Sequence, residues 1–166
     1  MPIVIALFRV IHILGAIVWV GFGLYNYFIT TRIDASMPTL GINYQLGIAK
    51  HTKFGQIMAV AVVATTLAGL ALWGVASPHK TLTTTALAIL GIGSLAGLAA
   101  FGHGISIGNK SDALAKAVLS AESNGQVAAD KQSEIGAMIA KLSRSANVGL
   151  GMMAVALLCM SIYSQF

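Results

Sequence analysis

Long apolar stretches separated by short polar segments dominate the chain. Each stretch is about as long as the roughly 20 apolar residues that a helix needs to cross the hydrocarbon core of a bilayer. Only the first contains a charged residue, Arg9. Because backbone polar groups inside lipid must be bonded within their own segment, the stretches are expected to be helices. They cover residues 3–29, 54–76, 82–107 and 146–166. The pattern predicts an all-α integral membrane protein, an antiparallel four-helix bundle that forms a single transmembrane domain over residues 1–166.

The polar segments set the predicted orientation. Only 9% of the residues are charged, whereas soluble domains have about 25%. Most of the 10 Lys and Arg residues lie in segments 31–53 and 108–145, namely Arg32, Lys50, Lys53, Lys110, Lys116, Lys131, Lys141 and Arg144. Basic residues favour the cytoplasmic side, so both termini are expected outside the cytoplasm in a multi-pass protein of the cell membrane. The basic residues are spread over these segments without forming a run, so they do not indicate binding to nucleic acid. The expected partners are the lipid bilayer and other membrane subunits or further copies of the chain.

The segments between the spans carry turn signals. Pro38 and Gly41 predict a short loop, after which a helix restarts before Tyr44. The turn Ser77-Pro78-His79-Lys80 predicts that spans two and three are neighbours. Segment 108–145 has apolar residues at helical spacing on both sides of Asn124-Gly125, where a left-handed stop is expected. It therefore predicts a cytoplasmic helical extension between spans three and four.

Small residues recur at helical spacing in spans two and three. Such residues let helix backbones approach closely in lipid. They also leave space in which a flat cofactor could lie. The first interpretation is favoured, but the pattern does not exclude the second. The residues are Gly93, Gly97, Ala100, Gly104 and Gly108 in span three, with Ala61, Ala64, Ala68 and Ala71 in span two.

Histidines in or beside the spans are the main candidates for chemistry, because ionisable residues in a membrane are costly and often functional. His12 lies in the outer half of span one and His103 near the cytoplasmic end of span three. At 1.5 Å per residue, their depths differ by roughly 18 Å, which is too far for two ligands of one iron. His51 is expected at the level of His103. The sequence therefore allows one site at His51 and His103, a separate site at His12, or neither.

A haem at His12 is one interpretation. His12 shares a helical face with Trp19 and the small residues of span one, and Arg9 lies one turn outward, where it could bind haem propionates. Met160 or Cys159 could supply a second axial ligand, or the iron could be five-coordinate. The alternative is structural: a hydroxyl of Thr65 or Thr66 satisfies the imidazole, and Arg9 reaches the headgroups.

Soft side chains offer a weaker interpretation. Thioether and thiol sulfurs suit Cu(I), although methionines in apolar helices usually serve packing. The candidates are Met58, Met152, Met153, Cys159 and Met160.

One segment carries a family resemblance. Residues 8–21, with Arg9, His12 and Trp19 followed by Gly21, resemble the first span of the CopD-like (copper-resistance D type) membrane proteins. That group includes proteins linked to copper uptake and is similar to small haem-binding membrane proteins, among them a protoporphyrinogen-oxidising type. The resemblance implies a binding role for His12, with Arg9 and Trp19 beside it. Residues 66–70 look like the second span of that group, which reads Thr-Gly-Leu, but this chain has Ala68 before Gly69. It also has no second histidine at the depth of His12.

These observations favour a membrane haem b protein acting in electron transfer or a haem-linked oxidation. The cofactor-binding candidates are His12, Arg9, Trp19, His103 and His51, and the metal-ligand candidates are His12, His103, His51 and Met160. An accessory subunit of a larger membrane complex without its own cofactor and a copper-handling protein are the alternatives. No pattern names a reaction or a substrate, so whether the protein is an enzyme stays open.

Overall fold

The computed structural model describes residues 2–76 and 82–166, and nearly all of these residues are helical. A π-helical turn, Asn26–Thr30, continues the first helix into the second without a break, and short 3-10 turns, Ala129–Lys131 and Tyr163–Gln165, flank the last helix. The predicted turn Ser77–Lys80 lies outside the described residues. The helices are α1 Pro2–Tyr25, α2 Thr31–Ser36, α3 Pro38–His51, α4 Phe54–Ala76, α5 Thr84–Ser120 and α6 Gln132–Ile162.

Four of the described helical segments are long and apolar enough to cross a membrane. They are Pro2–Ser36, Phe54–Val75, Thr84–Ser120 and Ala129–Gln165. Large apolar side chains cover their outer surfaces, and Val60, Leu95 and Leu158 are 69%, 69% and 65% exposed. Soluble proteins avoid large exposed apolar patches. The prediction of four apolar helices, one from each of the long apolar stretches, is confirmed.

The predicted loop at Pro38 and Gly41 is wrong, because α3 begins at Pro38 and Gly41 is buried within it. The break between α2 and α3 is confined to Met37, whose backbone leaves the helical region at φ −138° and ψ 68°. Proline at the first helical position has its φ preset and lacks an N–H that would be unbonded there in any case. Pro38 therefore starts the helix instead of marking a loop.

Helix α1 packs on α4 through a close approach at Gly15. A Cβ atom at Gly15 would lie 2.9 Å from the Ala61 carbonyl oxygen and would collide with the Thr65 hydroxyl. Further along the same interface, the Phe22 and Phe54 ring centroids are 4.2 Å apart. Gly15 is thus required by contact with backbone, as the prediction of small-residue packing in lipid expects.

Helix α5 packs on α6 in the same manner. A Cβ atom at Gly93 would lie 2.7 Å from Cys159 Cβ, and one at Gly97 would be 3.9 Å from Ala156 Cβ. Gly108, in contrast, has no neighbouring atom within 4 Å of such a Cβ. The predicted row of small residues in span three therefore serves helix packing at Gly93 and Gly97, but not along its whole length.

The main apolar core lies where α3 crosses the extended ends of α5 and α6. Between those helices, a two-stranded hairpin, β1 Glu122–Ser123 and β2 Gln126–Val127, reverses the chain. Its turn residues Asn124 and Gly125 have φ of 52° and 81°, the conformation that Asn-Gly turns favour. This region, which comprises α3, the hairpin and the adjoining ends of α5 and α6, is here called the loop side. It confirms that helices extend spans three and four. Asn124 and Gly125 are left-handed as expected, but they form the hairpin turn and do not end the helix, because α5 already ends at Ser120. The core residues of the loop side are Ile42, Leu46, Leu114, Val118, Val127, Ile135 and Ile139.

Candidate functional site

The His12 side chain on α1 forms a hydrogen bond to the backbone of α4. Its Nδ1 lies 2.7 Å from the Thr65 carbonyl oxygen. A carbonyl oxygen only accepts, so Nδ1 carries the proton and donates it. In the neutral imidazole this leaves Nε2 with an unprotonated lone pair. The structure thus defines which ring nitrogen of His12 is available to a ligand.

Gly69 makes this hydrogen bond possible. A Cβ atom there would lie 2.9 Å from His12 Cε1 and 3.0 Å from Nδ1. In an α-helix the Cα–Cβ bond tilts toward the N-terminus, so a side chain at residue 69 would cover the carbonyl four residues earlier. Glycine leaves that carbonyl exposed and gives the imidazole ring a flat surface on which to lie.

The bond differs from the one that the sequence suggested. Thr65 is the partner of His12, as its depth indicated, but through its carbonyl. The Thr65 hydroxyl donates to the Ala61 carbonyl at 2.7 Å, and that of Thr66 donates to the Val62 carbonyl at 2.9 Å. Threonine hydroxyls commonly bond the preceding turn of their own helix, so the protons of these two hydroxyls are not available to the His12 ring.

His103 on α5 forms a hydrogen bond to α6 through Nε2, whereas His12 uses Nδ1. Its Nε2 lies 2.9 Å from the Ser145 carbonyl oxygen and 3.2 Å from the Ser145 hydroxyl. Lys110 donates to the same hydroxyl at 2.9 Å. The carbonyl requires Nε2 to be the protonated nitrogen, so in the neutral ring of His103 the lone pair is on Nδ1, the nitrogen nearer its own helix backbone. His12 and His103 are therefore not equivalent as ligands.

The other predicted site residues are spread over the molecule. Arg9 is exposed on α1, three residues before His12 and hence on a neighbouring part of the same face. Trp19 Cζ2 lies 4.0 Å from the position that a Cβ of Gly104 would occupy, so Trp19 reaches α5. His51 is exposed at the end of α3, whereas the hydrogen-bond partners of His103 belong to Ser145.

The side chains of Cys159 and Met160 on α6 lie against glycines of α5. Met160 Cε would be 4.0 Å from a Cβ at Gly97, and Cys159 contacts Gly93. Within residues 2–76 and 82–166, no group of three or more His, Cys, Asp and Glu side chains is placed to hold a metal ion. A metal bound there would thus have at most two ligands from these four residue types.

Sequence reasoning missed the glycines under the two imidazoles. A Cβ at Gly149 would lie 3.5 Å from His103 Cδ2, and Ser145 precedes Gly149 by four residues just as Thr65 precedes Gly69. The sequence did contain a signal for these contacts. In each case the helix that pairs with the histidine-bearing helix has a Ser or Thr followed four residues later by a glycine.

An aromatic cavity of about 330 Å³ opens on the loop side between α1, α3 and α4, with Phe22, Tyr25, Tyr44 and Phe54 among its walls. The Tyr25 and Tyr44 hydroxyls are 3.2 Å apart. Burial and this hydrogen bond raise the pKa of Tyr44 to about 12. Tyr44 thus stays protonated at physiological pH, and the cavity is uncharged at this wall.

Comparisons with known proteins add no identification. No family model, no curated protein and no solved structure matches the chain. The functional argument therefore rests on the side chains themselves, above all on the state in which His12 is held.

Proposed function

We propose that the chain is a membrane-embedded haem b protein in which His12 is an axial ligand of the iron. It acts in electron transfer or in a haem-linked oxidation. The helices form an antiparallel four-helix bundle in the cell membrane, with the loop side in the cytoplasm and both termini outside. The excess of Lys and Arg in segments 31–53 and 108–145 supports this orientation.

The hydrogen bond from His12 Nδ1 to the Thr65 carbonyl carries the proposal. Histidines that ligate metals usually donate their second ring N–H to a carbonyl or carboxylate, which fixes the tautomer and makes the ligating nitrogen more basic. His12 has this arrangement, with Nε2 left for the iron. His103 has the opposite arrangement, in which Nε2 donates and Nδ1, the nitrogen nearer its own helix backbone, keeps the lone pair; His12 is therefore the preferred ligand.

The donor set fits a haem with one protein ligand. The chain supplies an oriented imidazole at His12, and Arg9 on the same helix offers a guanidinium for a propionate. Cys159 and Met160 pack on α5 glycines, so His12 would be the residue that holds the haem iron. When bound, the haem supplies one-electron chemistry. The protein holds the His12 proton at Nδ1, fixes the ring on Gly69, and surrounds it with apolar helices. The resemblance of residues 8–21 to CopD-like proteins supports the same position.

Visible spectroscopy tests the proposal. The detergent-purified protein, produced with ample haem, is expected to show a Soret band and reduced α and β bands, with iron near one per chain. His12→Ala should lose the bands, whereas His51→Ala, a change at an exposed histidine, should retain them. A colourless, iron-free wild-type protein, or equal loss in both variants, would contradict the assignment.

An accessory subunit without a cofactor is the second candidate, and the exposure of α1 favours it. Ile3 is 82% exposed and Ile17 is 62% exposed, so α1 offers an apolar face to lipid or to another subunit. In that case His12→Ala would weaken only the contact between α1 and α4. Co-purification of a stoichiometric partner with colourless protein would support this candidate and exclude the first. Copper handling is less well supported, because Cys159 and Met160 pack against glycines of α5.

A further inference from the structure

The aromatic cavity between α1, α3 and α4 lies where the first two apolar stretches meet the polar segment that joins them. Phe22 and Tyr25 of α1 line it near the end of the first stretch. Phe54 and Ile57 of α4 line it at the start of the second. In a membrane this is the level at which acyl chains meet headgroups, and aromatic side chains are enriched there. The cavity is therefore within reach of a membrane lipid.

The polar side chains of the cavity wall are already hydrogen-bonded within the protein. The hydroxyls of Tyr25 and Tyr44 bond each other at 3.2 Å. The Thr52 hydroxyl donates to the Ile48 carbonyl oxygen at 2.8 Å and accepts from the Phe54 N–H at 3.3 Å. The other lining side chains are aromatic or aliphatic. Because a polar group loses free energy when it leaves water without new partners, the part of a ligand inside the cavity is expected to be apolar.

Basic residues flank the cavity where α3 passes into α4. Lys50, His51 and Lys53 fall within four consecutive positions, and all three are exposed. Lys50 forms an ion pair with Glu122 at 2.6 Å. Lys53 forms no ion pair with an acidic residue of the described chain, and both of its chain neighbours line the cavity. A positive charge thus lies beside the cavity without a carboxylate that neutralises it.

The helices that form the cavity wall contain no acidic residue. Asp and Glu are absent from the sequences of α1, α3 and α4. Asp34, on α2, lines a different cavity, between α2, α3 and α6, and its carboxyl group packs on Gly41. Burial is the main cause of the raised pKa of Tyr44, and the charge of Asp34 is the smallest of the causes. The charges around the aromatic cavity therefore complement an anion.

A ligand with an apolar chain and an anionic head matches both the walls and the flanking charge. Anionic phospholipids have this chemistry, and basic pockets between transmembrane helices bind their headgroups. The cavity volume of about 330 Å³ is at the lower end of the roughly 300–1,000 Å³ of ligand pockets. This volume suits part of one acyl chain rather than a helix from another subunit.

We propose that the cavity between α1, α3 and α4 binds one anionic phospholipid. Part of an acyl chain lies between Phe22, Ile48 and Ile57, and the phosphate group contacts Lys53. The site is separate from His12 and does not depend on haem, so either proposal can fail without the other.

Native mass spectrometry of the delipidated, detergent-purified full chain tests the proposal. Dioleoylphosphatidylglycerol is the probe, and dioleoylphosphatidylcholine has the same acyl chains without a net charge. We expect one phosphatidylglycerol molecule per chain to bind at least several-fold more tightly than phosphatidylcholine. It should also give a saturable rise in melting temperature, because a ligand of the folded state stabilises that state. Equal binding of the two lipids, or binding of neither, would overturn the proposal.

A matched pair of variants locates the acyl chain. Ile57 and Ile105 are 59% and 57% exposed, and only Ile57 lines the cavity. Ile57→Trp puts a large ring at the cavity wall and should abolish the tight phosphatidylglycerol adduct. Ile105→Trp makes the same change on α5 and should retain it. Equal binding in the two variants would place the lipid elsewhere and refute the site.

A second pair tests the phosphate contact. Lys53→Gln should weaken phosphatidylglycerol binding about fivefold, the effect of one basic residue near an anionic membrane surface. Lys116→Gln, at an exposed position of α5, should leave it unchanged. Undiminished binding in Lys53→Gln would refute the contact and with it the proposed lipid. Displacement of phosphatidylglycerol by a lower concentration of oleate, or a dimer that Ile57→Trp dissociates, would assign the cavity to a fatty acid or to a second copy of the chain instead.

Discussion

His12 and His103 are held in the same way on different helix pairs. Each imidazole donates to a helical carbonyl of the paired helix, and each lies against the glycine four residues after that carbonyl, Gly69 and Gly149 respectively. The two differ in the nitrogen that donates, Nδ1 in His12 and Nε2 in His103. The same arrangement therefore leaves the lone pair on Nε2 in His12 and on Nδ1, beside the helix backbone, in His103.

Substitution of Gly69 should displace the His12 ring. In Gly69→Ala, the new Cβ would lie 2.9 Å from the ring, so the hydrogen bond to Thr65 should break and any Soret absorbance should fall at least several-fold. Gly74→Ala is the matched control, since its Cβ would meet nothing within 4 Å on the same helix. Absorbance spectra at equal protein concentration make the measurement. Unchanged spectra of Gly69→Ala would show that the ring position does not govern binding.

The fold was largely predictable from the apolar pattern, and the site was not. Long charge-free stretches predict helices because lipid leaves the backbone no other partner, and the spacing of His12, Gly15 and Trp19 indicated a face that meets other helices. The partner of His12 depends on the register between α1 and α4. No single-helix pattern contains that register.

The cavity between α2, α3 and α6 was unpredictable for a similar reason. Asp34 and Asn147 are distant in the chain and are brought to one cavity by the crossing of α2 and α6. The sequence also suggested a loop at Pro38, which would have left Asp34 in solvent. Only the continuous π-helical turn and the immediate restart of α3 bury its carboxyl group.

The contact at Gly15 should dominate the stability of the α1 and α4 pair. Gly15→Ala places a Cβ against the Ala61 carbonyl and the Thr65 hydroxyl, and overpacking of this kind costs about 1–3 kcal/mol. Gly21→Ala on the same helix has open space and should be neutral or stabilising by up to about 1 kcal/mol, through helix propensity. Unfolding in detergent, followed by tryptophan fluorescence, measures both. A Gly15→Ala protein as stable as wild type would show that the helices can separate without loss.

His103 should act on stability rather than on the spectrum. His103→Ala removes the bond to Ser145, and interhelical hydrogen bonds in membrane proteins contribute about 0.6 kcal/mol on average. We expect a small loss of thermal stability with an unchanged Soret band, if His12 alone binds iron. A shifted or lost band in His103→Ala, with the thermal stability unchanged, would instead make His103 an iron ligand.

The orientation can be measured with single cysteines. In a Cys159→Ser background, Ser123→Cys lies in the exposed hairpin of the loop side and Ser164→Cys lies near the exposed C-terminus. A membrane-impermeant maleimide applied to intact cells should label position 164 and spare position 123 until the membrane is opened, because basic residues hold the loop side in the cytoplasm. The opposite labelling pattern would invert the topology while leaving the helices and the His12 hydrogen bond as described. It would place His12 toward the cytoplasmic face, so the electron donor or acceptor would then be sought on that side.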